Sequence, residues 1–184
     1  DLTIQPGISD HRFASTVIAF STEYDVYDWG VIQTLGAPDV YPNYGDIEYA
    51  WAPAEMDEPG EFLELGFDNP IPINFIDIYE TYGPGSIDSV FVKNPGTGIF
   101  EPVYTAVPAY AGDTARMLHI TFPMTSFSVS EIRITMDMSA VTGTYMHPRI
   151  LILSASSGNG HIKAGEALAK AFSQAQPEAI VQHI

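Results

Sequence analysis

Leu63-Glu64-Leu65-Gly66-Phe67 alternates apolar residues with charged or small ones, and Asp68-Asn69-Pro70 follows with turn chemistry. A period of two is the signature of a strand with one face on a core and the other toward water. Ile132-Arg133-Ile134-Thr135-Met136-Asp137 repeats the pattern. Further strands are expected at Phe13–Phe20, Ile73–Glu80, Ser86–Lys93 and Met117–Phe122, with turns at Tyr82-Gly83-Pro84-Gly85 and Asn94-Pro95-Gly96-Thr97-Gly98. Many short strands with regular turn punctuation predict an all-β antiparallel sandwich or barrel.

The composition limits what such a domain can do. With 46% hydrophobic and 16% charged residues over 184 positions, the chain is globular in composition and long enough for one ordinary domain and a small appendage. It has no cysteine, so disulfides, thiolate chemistry and Cys-ligated zinc are excluded. No apolar run is long enough for a membrane-spanning helix. A net charge of −16 disfavours nucleic acid and anionic lipid and favours cations. If the domain is exported, Asp1 is expected to follow a processed leader.

The pattern breaks near Met146. Residues 1–145 carry four basic side chains against 21 acidic ones, a net of −17, whereas residues 146–184 carry three against two, a net of +1. All aromatic residues but Phe172 precede the break. Arg149-Ile150-Leu151-Ile152-Leu153-Ser154 reads as a continuous apolar strand. A Gly-containing turn follows. Ala164, Ala167, Leu168, Ala171, Phe172 and Ala175 then recur at helical spacing, and Pro177 stops that helix. The expected organisation is a β-sandwich over 1–145 and a β-turn-α segment over 146–184. Such a segment cannot bury both faces alone, so its strand is expected to complete the sandwich.

Ala37-Pro38-Asp39-Val40-Tyr41, Tyr44-Gly45-Asp46, Ala50-Trp51-Ala52-Pro53, Glu61–Phe67 and Ile76–Tyr82 occur in the order found in discoidin-like, galactose-binding-like domains. Over about residues 14–143 the chain resembles that family. The resemblance implies an antiparallel jelly roll with a ligand groove among the loops at one end, non-catalytic binding of glycans, lipid head groups or proteins, and a calcium ion near the loop matching Asp39–Asp46. The matching pattern runs out at Ala140-Val141-Thr142-Gly143, where the last strand of the jelly roll is missing.

The residues themselves point to the same loops. Tyr27, Trp29, Tyr41, Tyr44 and Tyr82 lie in loop-like sequence and could stack on the apolar faces of sugars, a carbohydrate or cell-surface ligand. The competing role is core packing, which is the favoured reading for Trp51 and stands level with ligand stacking for Trp29. Asp39, Asp46 and Glu48 are hard oxygen donors of the kind Ca2+ takes, and equally the kind that caps turns. His11, His119, His147 and His183 have no zinc-ligand spacing, and His119 reads as a structural residue of a strand.

In the tail, Ile150–His161 followed by Ala164, Glu166, Ala167 and Leu168 is similar to the opening of diacylglycerol glycosyltransferases of the monogalactosyldiacylglycerol-synthase kind. That resemblance implies a Gly-rich turn at Ser157, Gly158 and Gly160, and an acceptor-site base at His161, in a cytoplasmic or membrane-associated enzyme. About 35 residues of it supply no nucleotide-sugar site, so no activity is expected. The leading expectation is a secreted, non-catalytic carbohydrate-binding β-sandwich, calcium-stabilised through its loops. The alternatives are an inactive glycosyltransferase fragment fused to a sandwich, and a structural module that self-associates through its C-terminal helix or an open sheet edge.

Overall fold

Side-chain alternation sorts the strands of this chain into two sheets. The computed structural model describes residues 11–56, 58–141 and 150–155. The strands are β1 (His11–Phe13), β2 (Thr16–Phe20), β3 (Pro59–Ile71), β4 (Phe75–Glu80), β5 (Ile87–Lys93), β6 (Phe100–Thr105), β7 (Arg116–Thr121), β8 (Val129–Asp137) and β9 (Ile150–Ala155). One sheet has the order β1-β9-β4-β7 and the other β2-β3-β8-β5-β6. Every pairing is antiparallel. The architecture is the all-β jelly-roll sandwich, within a unit spanning His11–Ser156.

The core lies between the sheets. Leu63 and Leu65 of β3 stand opposite Ile134 and Ile132 of β8, and all four are completely buried. Ile76 and Ile78 of β4 and Val90 and Val92 of β5 complete the layer. Full burial of one such side chain contributes about 1.5–3 kcal/mol. Trp51, from the loop between β2 and β3, is also completely buried and donates its indole N–H to the Thr22 carbonyl at 3.0 Å. It closes one end of the core.

Outward positions of the five-stranded sheet carry charge pairs. Arg133 pairs with Glu64 directly opposite, and its guanidinium lies 4.6 Å from the Phe100 ring centroid and 5.6 Å from that of Phe62. Lys93 contacts Glu131 at 2.6 Å. Two of the four basic side chains in residues 1–145 are therefore committed on this face. The edge strands of the sheet resist pairing with another chain. β6 contains Pro102, which cannot donate to a ladder, and β2 is short and bulged between Val17 and Ala19.

The structure departs from the sequence expectations in several places. Asp68-Asn69-Pro70 is not a strand terminus. β3 runs through it to Ile71, with a register shift between Gly66 and Ile71 and Asn69 at φ 54°. Asn tolerates that left-handed conformation, so a bulge absorbs the turn chemistry. The expected Phe13–Phe20 strand is divided at Ala14-Ser15, where the chain passes from one sheet to the other. β6 was not expected at all. β9 lies between β1 and β4, with Ile152 opposite Ile78 and Leu153 opposite both Asp77 and Phe13. The helix expected after it lies outside the described residues.

Among the described residues, the connections 21–58, 81–86 and 106–115 meet at one end of the sandwich, together with Met138–Val141 after β8. The registers require it, because Phe20 faces Leu63, Glu80 faces Arg116 and Ile87 faces Met136.

Because β9 fills the interior of the four-stranded sheet, a chain ending at Val141 should leave β1 and β4 with unpaired edges. Such a truncation is expected to aggregate or to lose cooperative denaturant unfolding. A soluble remainder with the same sharp transition as the full chain would contradict this assignment of β9.

Candidate functional site

The loops at this end are tied together by backbone bonds and one buried carboxylate. Glu80 ends β4 and is completely buried. Its Oε1 accepts the Gly85 N–H at 2.7 Å and its Oε2 accepts from Arg116 Nε. An isolated buried carboxylate would be costly, and these two donors offset that cost. Gly85 sits at φ +115°, and a Cβ there would lie 2.0 Å from the Ala109 carbonyl oxygen. Only glycine fits this approach. The Ala109 N–H donates to the Gly85 carbonyl at 3.0 Å and the Ala111 N–H to the Pro84 carbonyl at 2.8 Å. The β4–β5 and β6–β7 connections are thus zipped together. The long β2–β3 loop joins them where the Gly45 N–H donates to the Thr81 carbonyl at 3.0 Å.

These ties bring three tyrosines and an aspartate together. The rings of Tyr44 and Tyr82 are 5.3 Å apart and inclined at 50°, so they meet as a corner and not as a parallel stack. The Tyr44 hydroxyl donates to Asp113 Oδ1 at 3.0 Å, and the Tyr110 hydroxyl donates to the same oxygen. Tyr44 and Tyr82 are half-buried, while Tyr110 and Asp113 are exposed. Desolvation, followed by the bond to Asp113, raises the Tyr44 pKa well above its ordinary value. The bond to Asp113 raises that of Tyr110. The Tyr110 and Tyr44 hydroxyls lower that of Asp113. At neutral pH the site therefore holds a carboxylate among protonated phenols.

The other expected ring residues are placed elsewhere in the same loops. Tyr41 packs edge-on against Tyr79 of β4, with centroids 4.8 Å apart. Trp29 is half-buried, stands at φ 56° and meets Tyr24 edge-on at 5.4 Å. Its backbone N–H donates to the Glu48 carbonyl and its carbonyl accepts from Ala52. A bulky residue in the left-handed region is a strained position held by its surroundings. Tyr27 is 80% exposed at the tip of that loop, where the Asp25 carboxylate accepts its N–H at 2.9 Å. Only Tyr44 and Tyr82 of the five predicted ring residues make a ring pair with each other. Tyr110 and Asp113 were missed. Their signal was the Tyr110-Ala111-Gly112-Asp113 stretch, an aromatic and a carboxylate in turn-rich sequence.

Asp39, Asp46 and Glu48 are all exposed. Among the described residues, no three His, Asp or Glu side chains are grouped to hold a metal ion. Calcium here would have at most two carboxylates, supplemented by backbone carbonyls. His119 contacts Asp77 through Nδ1 at 2.5 Å on β7 and β4, and its ring lies 5.4 Å from that of Phe75. Ser157, Gly158, Gly160 and His161 lie outside the described residues.

Burial, the Asp77 charge and Tyr41 together push the Tyr79 pKa up to about 12, from 10.0. The folded state therefore binds the Tyr79 proton more tightly than the unfolded chain. This contribution is full below pH 10 and is lost as the pH rises through about 12. Ultraviolet phenolate titration should show late-ionising tyrosines, and Tyr79→Phe should remove one tyrosine's amplitude near pH 12 while Tyr44 still ionises late. Ionisation of all tyrosines together near pH 10 would contradict the packing described.

Comparison with known proteins agrees on the fold. The family model described as "Pappalysin-1, SD scarf domain, C-terminal" matches residues 5–94. No curated protein matches the chain. The family 32 carbohydrate-binding module from Streptococcus pneumoniae EndoD is 11% identical, with 79% of this chain and 99% of that chain covered and a TM-score of 0.59. Chitosan-binding module 1 from a chitosanase/glucanase of Paenibacillus sp. IK-5 is 14% identical, with 79% and 96% covered and a TM-score of 0.54. Reduced XRCC1, from its complex with the DNA polymerase β catalytic domain, is 11% identical, with 78% and 97% covered and a TM-score of 0.57. The likeness to these structures thus holds at the level of the all-β jelly-roll fold. None of these similarities is to a glycosyltransferase. Among the described residues, no helix is long and apolar enough to cross a membrane.

Proposed function

We propose that residues 11–155 form a non-catalytic carbohydrate-binding module of an exported protein, with its ligand held at the loop end of the sandwich. The observation that carries this reading is the Tyr44–Tyr82 corner with the Tyr110–Asp113 pair beside it. Tyrosine rings offer apolar faces for the C–H surface of a sugar. Asp113 and the phenols offer acceptors and donors for its hydroxyls. The backbone ties through Gly85, Ala109 and Thr81 set these groups before a ligand arrives, which lowers the ordering cost of binding. Two solved structures with this fold are named as carbohydrate- and chitosan-binding modules, which supports the reading without supplying the ligand.

Isothermal titration against a panel of oligosaccharides tests it. At least one should bind, and Tyr44→Ala and Tyr82→Ala should each weaken binding by about tenfold, the scale of one lost ring contact. Phe100→Ala, on the outer face of the five-stranded sheet, should leave affinity unchanged. Affinity lost with Phe100→Ala and retained without Tyr44 and Tyr82 would move the site to that face.

Calcium at Asp39, Asp46 and Glu48 is the second part of the proposal. With two carboxylates at most, binding should be weak and should show as a small rise in Tm at millimolar calcium, reversed by chelator. An unchanged Tm removes the ion from the account.

A further inference from the structure

We propose that the corner formed by Tyr44, Tyr82 and Tyr110, with Asp113 at its edge, takes a cationic ammonium group, so that the preferred saccharide carries a free amine. The inference rests on the carbohydrate reading above and narrows its ligand class. Three separate observations lead to it.

Ring geometry is the first. The Tyr44 and Tyr82 rings meet at 50° with centroids 5.3 Å apart, and the Tyr110 hydroxyl joins the Tyr44 hydroxyl on one carboxylate oxygen, so ring faces and a carboxylate lie side by side. Ammonium groups are attracted to the faces of aromatic rings at about 6 Å or less from the centroid, and several such faces around one point select for cations. The second is the state of Asp113. Both phenols donate to Oδ1, and Oδ2 accepts no hydrogen bond from the described residues. A full negative charge, with one oxygen open to an N–H donor, therefore stands beside the rings.

Charge distribution is the third observation. No Lys or Arg occurs between Arg12 and Lys93, the stretch that supplies the β2–β3 and β4–β5 loops, and the whole chain carries −16. Arg116, the basic residue nearest Asp113 in sequence, is paired with buried Glu80, and Lys93 and Arg133 are paired on the outer sheet face. The field at the loop end thus draws cations and repels uronic or sulfated sugars.

Titration calorimetry at low salt would compare a glucosamine oligomer with free amines, its N-acetylated counterpart, a neutral glucose oligomer and choline. The free-amine oligomer should bind at least about tenfold tighter than the N-acetylated one. The preference should shrink with added salt and as the amine loses its proton at higher pH. Asp113→Asn keeps the shape of an exposed side chain and should bring the ratio of the two affinities to about one. Asp25→Asn, an exposed carboxylate on another loop, should leave the ratio unchanged. An equal drop with Asp25→Asn would assign the preference to overall charge and overturn the site. Equal binding of all three saccharides would overturn the ammonium inference and keep the carbohydrate reading. Binding of choline without any saccharide would keep the ammonium site and overturn the carbohydrate reading. No binding by any of the four would overturn both.

Discussion

Glu80 has no contact with solvent, yet it is a carboxylate at the last position of β4, where the sheet gives way to loop. A buried charge persists only with its hydrogen bonds in place, and here they come from the Gly85 amide and from Arg116 at the start of β7. This one group fixes the path of the β4–β5 connection, and with it the position of Tyr82. It also fixes how β7 begins, and so where the chain emerges from Asp113. The Gly85–Ala109 and Pro84–Ala111 bonds follow from that geometry, as does the strap from Gly45 to Thr81. Rings on a loop end are ordinarily mobile. These are carried on backbone that hydrogen bonds and close packing hold in one arrangement.

The two ends and two faces of the sandwich are not equivalent. The outer face of the five-stranded sheet also presents aromatic residues, Phe62 and Phe100, but Arg133 lies over both rings and pairs with Glu64. That face is closed on itself. The opposite end is turned by Asn94–Gly98, where Asn94 accepts the Gly96 N–H, and the Phe75–His119 ring pair toward that end lies on β4 and β7 with the His ring held by Asp77. The loop end combines ring faces at an angle with a carboxylate oxygen that accepts no hydrogen bond from the described residues.

Much of the framework was legible because alternation is a local signal. Leu63–Phe67, Ile132–Asp137, Ile73–Glu80 and Ser86–Lys93 each lie largely within an observed strand, since one face of each had to meet the core. β6 was not legible. Pro102 and Glu101 interrupt its apolar pattern, and an edge strand tolerates both. Asp68-Asn69-Pro70 misled because a bulge uses the same residues as a turn. In the site, Tyr44 and Tyr82 were visible as loop aromatics. Their partners were not, because Asp113 reaches Tyr44 only through contacts distant in sequence. The calcium expectation rests on carboxylates close in sequence, and proximity along a loop does not by itself supply a full donor set, since no three such side chains are grouped among the described residues.

Amide chemical-shift mapping during titration with the free-amine glucosamine oligomer tests the central claim, that a preformed tyrosine–aspartate corner is the binding surface. Perturbations confined to residues 41–45, 81–86 and 106–114, with the rest of the spectrum unmoved, are the predicted result. Shifts centred on Phe62, Arg133 and Phe100, or on the Asn94–Gly98 turn, would contradict it.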